Sequence, residues 1–161
     1  MIRVIAAMDK KRGIAKHGSV PWHLPEDMAN FKQLTKSHGG RMLVGTTTFM
    51  NALKRKPLEG RTTYVLTRKP QAVEGVQLVH DLESWLKSMG GQDIWIIGGA
   101  SIYKQIIDNG LADELYLTHI DADFSCDQFF PDYQASFQLV SQTKPKEYHG
   151  LHYNFAVYTK L

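Results

Sequence analysis

The chain has 161 residues, with 19 lysines and arginines against 16 aspartates and glutamates, so its formal net charge is +3 with the seven histidines neutral. A chain of this length buries roughly 70% of the surface its unfolded form exposes and needs no disulfide staple or structural metal, and a composition 43% hydrophobic and 22% charged excludes disordered and collagen-like classes. Cys126 is the single cysteine and so has no internal disulfide partner. The apolar run in MIRVIAAMDKKRG is too short for a signal-peptide core or a membrane span. A reducing, cytoplasmic compartment is expected, and the small positive charge favours small anionic ligands rather than nucleic acid.

In chain order, Ile2 to Met8 reads as an apolar strand, followed by a long connection from Asp9 to Pro25 that mixes Gly13, Gly18, Pro21 and Pro25 around Trp22. Glu26 to Lys36 has helical spacing through Met28, Phe31 and Leu34. Arg41 to Gly45 is a strand that runs straight into a helix from Thr46 to Leu53. A basic loop of Lys54, Arg55, Lys56 and Arg61 precedes strands at Thr62 to Thr67 and Val76 to His80. Leu82 to Met89 and Ser101 to Asn109 are helices on either side of Asp93 to Gly98. The run Ile94-Trp95-Ile96-Ile97 in that segment is apolar without alternation, as in a central strand covered on both faces. Glu114 to Asp121 is a further strand, and Phe137 to Thr143 with Tyr153 to Leu161 form an antiparallel edge hairpin around Lys144 to Gly150. Alternating strands and helices predict a mainly parallel α/β sheet. With no internal repeat or linker-like shift, residues 1–161 are read as one domain.

Three segments have chemical potential. Gly98-Gly99-Ala100-Ser101 joins a strand to a helix, where glycines admit close approach of a ligand and helix N–H groups attract phosphate; a plain strand-to-helix turn is the alternative. Gly45-Thr46-Thr47-Thr48 repeats that arrangement, its threonines being either helix caps or phosphate donors, and Thr67-Arg68-Lys69 adds two cations. Together they suggest a dinucleotide. In Val20-Pro21-Trp22-His23-Leu24-Pro25-Glu26-Asp27, the two acids suit the positive end of a helix. Alternatively, Asp27 with Phe31 at i+4 anchors a flat heterocycle, because a carboxylate accepts two parallel N–H bonds. His119 and Asp121 share a strand face but are too few ligands for a metal. There is no GxSxG elbow, and Cys126 reads as a small apolar residue.

Taken in order, IAAM, VPWHLPEDMANFK, Gly-Thr-Thr-Thr-Phe, PLEGR, YVLTR, IIGGASIY, LYLTHID and FFPDY resemble the dihydrofolate reductase family over nearly the whole chain. The resemblance implies a single-domain, eight-stranded, mostly parallel sheet with a C-terminal antiparallel hairpin and four flanking helices. It implies NADPH-dependent reduction of 7,8-dihydrofolate to tetrahydrofolate for one-carbon metabolism, with hydride delivered to C6 and a proton to N5, by a monomer open to antifolate inhibitors. Asp27 would pair with the 2-amino group and N3 of the pterin, Thr118 would bond both Asp27 and the pterin, and Trp22 would hold an ordered water and help close a lid. Ile5 and Ile97 would offer carbonyls to the pterin. Phe31 would line the aminobenzoyl pocket beside Met28, and Arg61 would grip the glutamate α-carboxylate. Ala6, Lys32, Leu58 and Tyr103 would complete the substrate site. Ala7, Ile14, Val20, Gly45, Thr46, Thr47, Thr48, Thr67, Arg68, Lys69, Gly98, Gly99, Ala100, Ser101 and Ile102 would contact the cofactor, with a cis peptide between Gly98 and Gly99.

Three positions depart from the family pattern. Thr46 stands where an arginine commonly helps bind the 2′-phosphate, Ala15 replaces a loop glycine and stiffens the lid, and Ser101 replaces a basic residue near the pyrophosphate. Two other readings compete. A riboflavin-pathway reductase on the same fold is opposed by VPWHLPED, Phe31 and Arg61, and a catalytically idle nucleotide-binding module by Asp27, Trp22, Thr118 and Arg61 together.

Overall fold

A computed structural model describes residues 1–69 and 73–161. Its strands are β1 (Ile2–Met8), β2 (Gly13–Ala15), β3 (Arg41–Gly45), β4 (Thr62–Leu66), β5 (Gln77–Val79), β6 (Ile94–Ile96), β7 (Glu114–Ile120), β8 (Gln128–Phe129), β9 (Phe137–Gln142), β10 (Lys146–Tyr148) and β11 (Leu151–Lys160). The helices are α1 (Pro25–Lys36), α2 (Thr46–Asn51), α3 (Leu82–Ser88) and α4 (Ala100–Asp108). The main sheet runs β10-β11-β7-β1-β6-β3-β4-β5, with β9 also on β11. All pairings from β7 to β5 are parallel, and those of β11 are antiparallel.

Strand alternation divides the core between the two faces of the sheet. Val4, Ala6 and Met8 of β1, Leu43 of β3, and Ile94 and Ile96 of β6 pack with Ile102 and Ile106 of α4 and Trp85 of α3. The intervening Ile5, Met42, Val44, Trp95 and Ile97 pack on the other face with Phe31 and Leu34 of α1 and Phe49 of α2. Residues 94–97 are all buried, as expected of a central strand covered on both sides. Truncating one such isoleucine to alanine costs about 2–5 kcal/mol.

The winding positions the site. From β1 the chain moves outward through β3, β4 and β5, then returns to place β6 between β1 and β3. The carboxyl ends of parallel strands beside such a reversal are where α/β sheets open a crevice. Here Gly45 N–H at the end of β3 donates to Gly98 O beyond β6 at 2.7 Å, joining the two strand ends.

Three regions differ from the sequence expectation. The Asp9 to Pro25 connection contains β2, which pairs with β8 in a separate ribbon. Buried Asp9 organises its start, accepting N–H bonds from Lys11 (2.9 Å), Gly13 (2.8 Å) and Phe124 (3.1 Å). The C-terminal edge hairpin is split: β9 and β10 lie in succession along one edge of β11, which begins at Leu151. Pro145 lacks the N–H that a continuous ladder needs. Thr143 closes β9 by donating its N–H to Phe155 O at 2.8 Å and accepting Phe155 N–H at its hydroxyl. Helix α2 ends at Asn51 instead of Leu53, because the chain turns into left-handed backbone at Lys54 (φ 52°) and Arg55 (φ 61°).

Candidate active site

A cleft of about 1310 Å³ opens at the carboxyl ends of β1, β3, β4 and β6. One arm is built on α1. Pro25 takes the first helical turn and the N-cap, Leu24, has no side-chain cap bond, so the helix start is fixed by packing: Leu24 is 1% exposed. Asp27 in that turn accepts the Thr118 hydroxyl hydrogen at 2.6 Å. Burial raises the Asp27 pKa above the ordinary carboxylate value, and the Thr118 bond partly offsets this. Phe31 and Lys32 follow one helical turn later, and Met28, more than half exposed, stands on the rim.

Arg61 closes this arm. Its Nη1 donates to the Thr35 hydroxyl at 3.1 Å and its Nε to Glu59 O at 3.0 Å. Fully buried Thr35 in turn donates to Phe31 O at 2.7 Å. The guanidinium is thereby oriented while keeping N–H groups for a ligand. Burial lowers its pKa, with Glu59 acting in opposition, yet arginine stays charged. Leu58 lines the same wall.

The floor is formed by Ile5, Ala6, Ala7 and Ile97. Buried Tyr103 donates its hydroxyl to Ile5 O at 2.7 Å, so one lone pair of that carbonyl is already engaged. Burial, first, and the negative charge of Asp27 raise the Tyr103 pKa, keeping it a neutral donor.

The second arm carries the paired strand-to-helix turns. Gly98–Gly99 is a cis peptide. A methyl group built on Gly99 would lie 2.7 Å from Thr48 Oγ1, and one on Gly98 would lie 3.3 Å from the Tyr103 hydroxyl. Gly45, Thr46, Thr47 and Thr48 flank this turn; Ala100, Ser101 and Ile102 follow it at the start of α4, which has no side-chain cap. Thr67 and Arg68 line the far end. Such a backbone cradle suits a phosphate-bearing ligand.

Ile14, Val20 and Trp22 hang over the cleft from the first loop, Trp22 packing edge-on against Phe124 with ring centroids 5.3 Å apart. Ala15 is held in β2, with its carbonyl accepting Asp127 N–H at 3.0 Å.

Of the residues expected at the site, Thr118 and Lys69 fall outside the cleft wall. Thr118 is buried and donates its hydroxyl to Asp27. The Lys69 backbone N–H closes a local turn on Thr67 Oγ1 at 3.1 Å. Sequence reasoning missed Thr35, which orients Arg61, and His80, Gln105, Asp127 and Gln128 on the wall. Thr35 had a helical signal, one turn from Phe31. Asp127 and Gln128 reach the cleft only through the β2–β8 pairing, which has no local signal. No group of three metal-ligating side chains occurs among the described residues.

The family model "Dihydrofolate reductase" matches residues 1–160. The chain belongs to the dihydrofolate reductase family. A dihydrofolate reductase of Bacillus subtilis (strain 168) is 35% identical over 165 residues, spanning 99% of this chain and 95% of the relative. One from Staphylococcus aureus is 34% identical over 147 residues, spanning 90% and 87%. Among solved structures, a dihydrofolate reductase from Enterococcus faecalis complexed with NADP(H) and RAB-propyl superposes with a TM-score of 0.87 at 31% identity, covering 99% of this chain and 96% of that one. The α/β fold with a C-terminal antiparallel edge is thus the family's fold. No helix among the described residues is long and apolar enough to cross a membrane.

Proposed function

We propose that this chain is an NADPH-dependent dihydrofolate reductase in which the α1 arm takes the pterin and its aminobenzoyl-glutamate extension, and the glycine-turn arm takes the dinucleotide. The observation that carries this assignment is the Asp27–Thr118 pair, a half-buried carboxylate held at 2.6 Å and opening into one cleft with the Gly98–Gly99 turn.

The residues present fit the cofactor: glycines stand where side chains would collide with Thr48, and the uncapped α4 start leaves donors for a pyrophosphate. When bound, NADPH supplies the hydride that reduces C6 of dihydrofolate. The protein's part is alignment and charge. Thr118 engages one lone pair of one Asp27 oxygen, which leaves acceptor sites on both oxygens for the amino group and N3 of a pterin and so fixes the ring. Its negative charge on an apolar floor favours protonation of the substrate at N5. N5 lies across the ring from the anchored edge, so the proton comes from water admitted beside Trp22 rather than directly from Asp27. Ile5, Ala6, Ala7 and Ile97 exclude bulk water beneath the ring. Phe31, Met28 and Leu58 hold the aminobenzoyl group, and Arg61, oriented by Thr35, receives the glutamate α-carboxylate with Lys32 nearby.

The reading takes the chain as one domain acting as a cytoplasmic monomer. It is supported by a main sheet that draws strands from Ile2 to Lys160 and by a lone cysteine whose pKa is pushed up to about 11 by burial and neighbouring acids, Asp9 first. Loss of reduced-nicotinamide absorbance with dihydrofolate and either NADPH or NADH tests the assignment. Rapid NADPH-dependent loss is expected. Binding without turnover of either nucleotide would instead indicate an idle module.

A further inference from the structure

The start of α1 is held by more than the Asp27 bond. Pro25 has no N–H and Leu24 makes no side-chain cap bond, and an uncapped first turn is where a helix frays. Asp27 lies in that turn with a single hydroxyl, that of Thr118, on its carboxylate. The neighbouring Glu26, which the sequence offers only as a charge at the positive end of the helix, is bonded through both of its oxygens to the C-terminal strands. Oε2 accepts the Tyr153 hydroxyl hydrogen at 3.0 Å, and Oε1 lies 3.0 Å from Lys146 Nζ.

These partners come from one patch of the sheet. Lys146 of β10 and Tyr153 of β11 are register partners, Tyr153 stands opposite Ile120 of β7, and Thr118 stands opposite Phe155, so their side chains share one face. Strand β7 thus gives a hydroxyl to Asp27, and β11 gives one to Glu26. Side chains of successive helical residues diverge by about 100°. A single tether would let the first turn pivot about it; two tethers in divergent directions fix its rotation, and with it the direction in which the Asp27 carboxylate faces the cleft.

Tyr153 is suited to this work. It is 4% exposed and packs with Leu24 and Ile120 in a core cluster under the first loop. Burial, first, and then the Glu26 bond and the charges of Glu26 and Asp27 raise its pKa, so the phenol keeps its hydrogen. The bonds from Lys146, first, and Tyr153 hold Glu26 below its ordinary pKa, so it remains an acceptor. Lys146 is 38% exposed and Glu26 50% exposed, and an ion pair so open to water contributes little. The buried phenol is the stronger tether.

We propose that Tyr153 is a positioning residue for the reaction, acting through Glu26 to hold the first turn of α1 so that Asp27 meets the edge of the pterin. The inference rests on the role of Asp27 proposed above.

The test measures hydride transfer by stopped flow at neutral pH, and the dissociation constant of dihydrofolate without nucleotide by tryptophan fluorescence. Tyr153→Phe removes the hydroxyl and keeps the ring. Glu26→Ala removes the acceptor, whereas Glu26→Gln loses the charge but still accepts from Tyr153. Tyr153→Phe and Glu26→Ala should each slow hydride transfer about three- to tenfold and weaken dihydrofolate binding by a similar factor, with Glu26→Gln within about twofold of wild type. In an Asp27→Asn background, adding Tyr153→Phe should slow the step by less than about a further twofold, because residues that act through one another are not additive. A wild-type rate and dissociation constant in Tyr153→Phe would overturn the proposal. The same loss in both backgrounds would also overturn it, since the hydroxyl would then serve the fold alone. Glu26→Gln as slow as Glu26→Ala would assign the effect to charge and overturn the tether. Should Tyr153→Phe fail to fold, half-exposed Glu26→Ala carries the same comparison with Asp27→Asn. A wild-type rate in Asp27→Asn itself would overturn the role of Asp27, and the proposal with it.

Discussion

The two arms of the cleft are built on different principles. In the substrate arm each reactive side chain is positioned by a second side chain or carbonyl: Asp27 by Thr118, and Arg61 by Thr35 and Glu59 O. In the cofactor arm the work falls to backbone, through the cis Gly98–Gly99 turn and the Gly45 N–H bond to Gly98 O, with charged groups confined to an exposed end. Oriented, half-buried charges favour one ligand geometry and lose a great deal when altered, whereas a backbone cradle tolerates side-chain change unless something fills it. Changes in the first arm should therefore strike the chemistry, and changes in the second should strike affinity and cofactor choice.

The sharpest way to break that contrast is Asp27→Asn. The amide keeps an acceptor for Thr118 but loses the charge that favours a protonated pterin. Turnover at neutral pH should fall by about 10²–10³-fold, and by much less in acid, where solvent protonates the substrate beforehand. Stopped-flow rates at both pH values check this, and equal losses would remove Asp27 from the protonation step.

Arg61→Lys should raise KM for dihydrofolate by about 10–100-fold with a smaller change in kcat, because an ammonium cannot match a forked carboxylate contact or use both of the anchors that fix the guanidinium. An unaltered KM would place the glutamate elsewhere. In the other arm, Gly99→Ala puts a methyl group 2.7 Å from Thr48 Oγ1, attached close to the backbone of α2. A collision of this kind costs about 1–3 kcal/mol, and it should weaken NADPH binding about tenfold or more while leaving the dissociation constant of dihydrofolate, read by fluorescence, nearly unchanged. Parallel loss of both ligands would show that the arms are not independent.

How much of this could be read in the sequence follows the same division. The central strands were legible because Ile94 to Ile97 are apolar on successive residues, and α4 because Ile102 and Ile106 lie one turn apart. Asp27, Phe31 and the Gly98–Gly99 turn were visible as local patterns with two readings each, and the ordered family motifs decided between them. What escaped is non-local. The β2–β8 ribbon pairs residues more than a hundred positions apart, and Asp9 collects N–H groups from Gly13 of β2 and from Phe124 ahead of β8. The Thr118–Asp27 bond likewise joins residues far apart in the chain, Thr118 being placed by strand pairing with Ala7.

The smallest effect concerns stability, and it separates a functional charge from a structural one. Burial raises the folded-state pKa of Asp27 above its ordinary value of 3.8, against the opposing Thr118 bond. Between those two values the folded protein retains a proton that the unfolded chain has released, so stability falls as pH rises through that window. Below the ordinary value both states are protonated and no penalty exists; above the raised value the penalty is complete and persists at neutral pH. An asparagine side chain in the same place cannot ionise. The ligand-free Asp27→Asn protein should accordingly be more stable than wild type at neutral pH by about 1 kcal/mol, the scale on which relaxing a functional group stabilises an enzyme, with the gain vanishing below about pH 4. Urea unfolding at the two pH values measures it. A gain that is the same in acid would point to packing rather than charge, and a loss at neutral pH would mean that the carboxylate strengthens the fold as well as the chemistry, which would erase the distinction between the two arms.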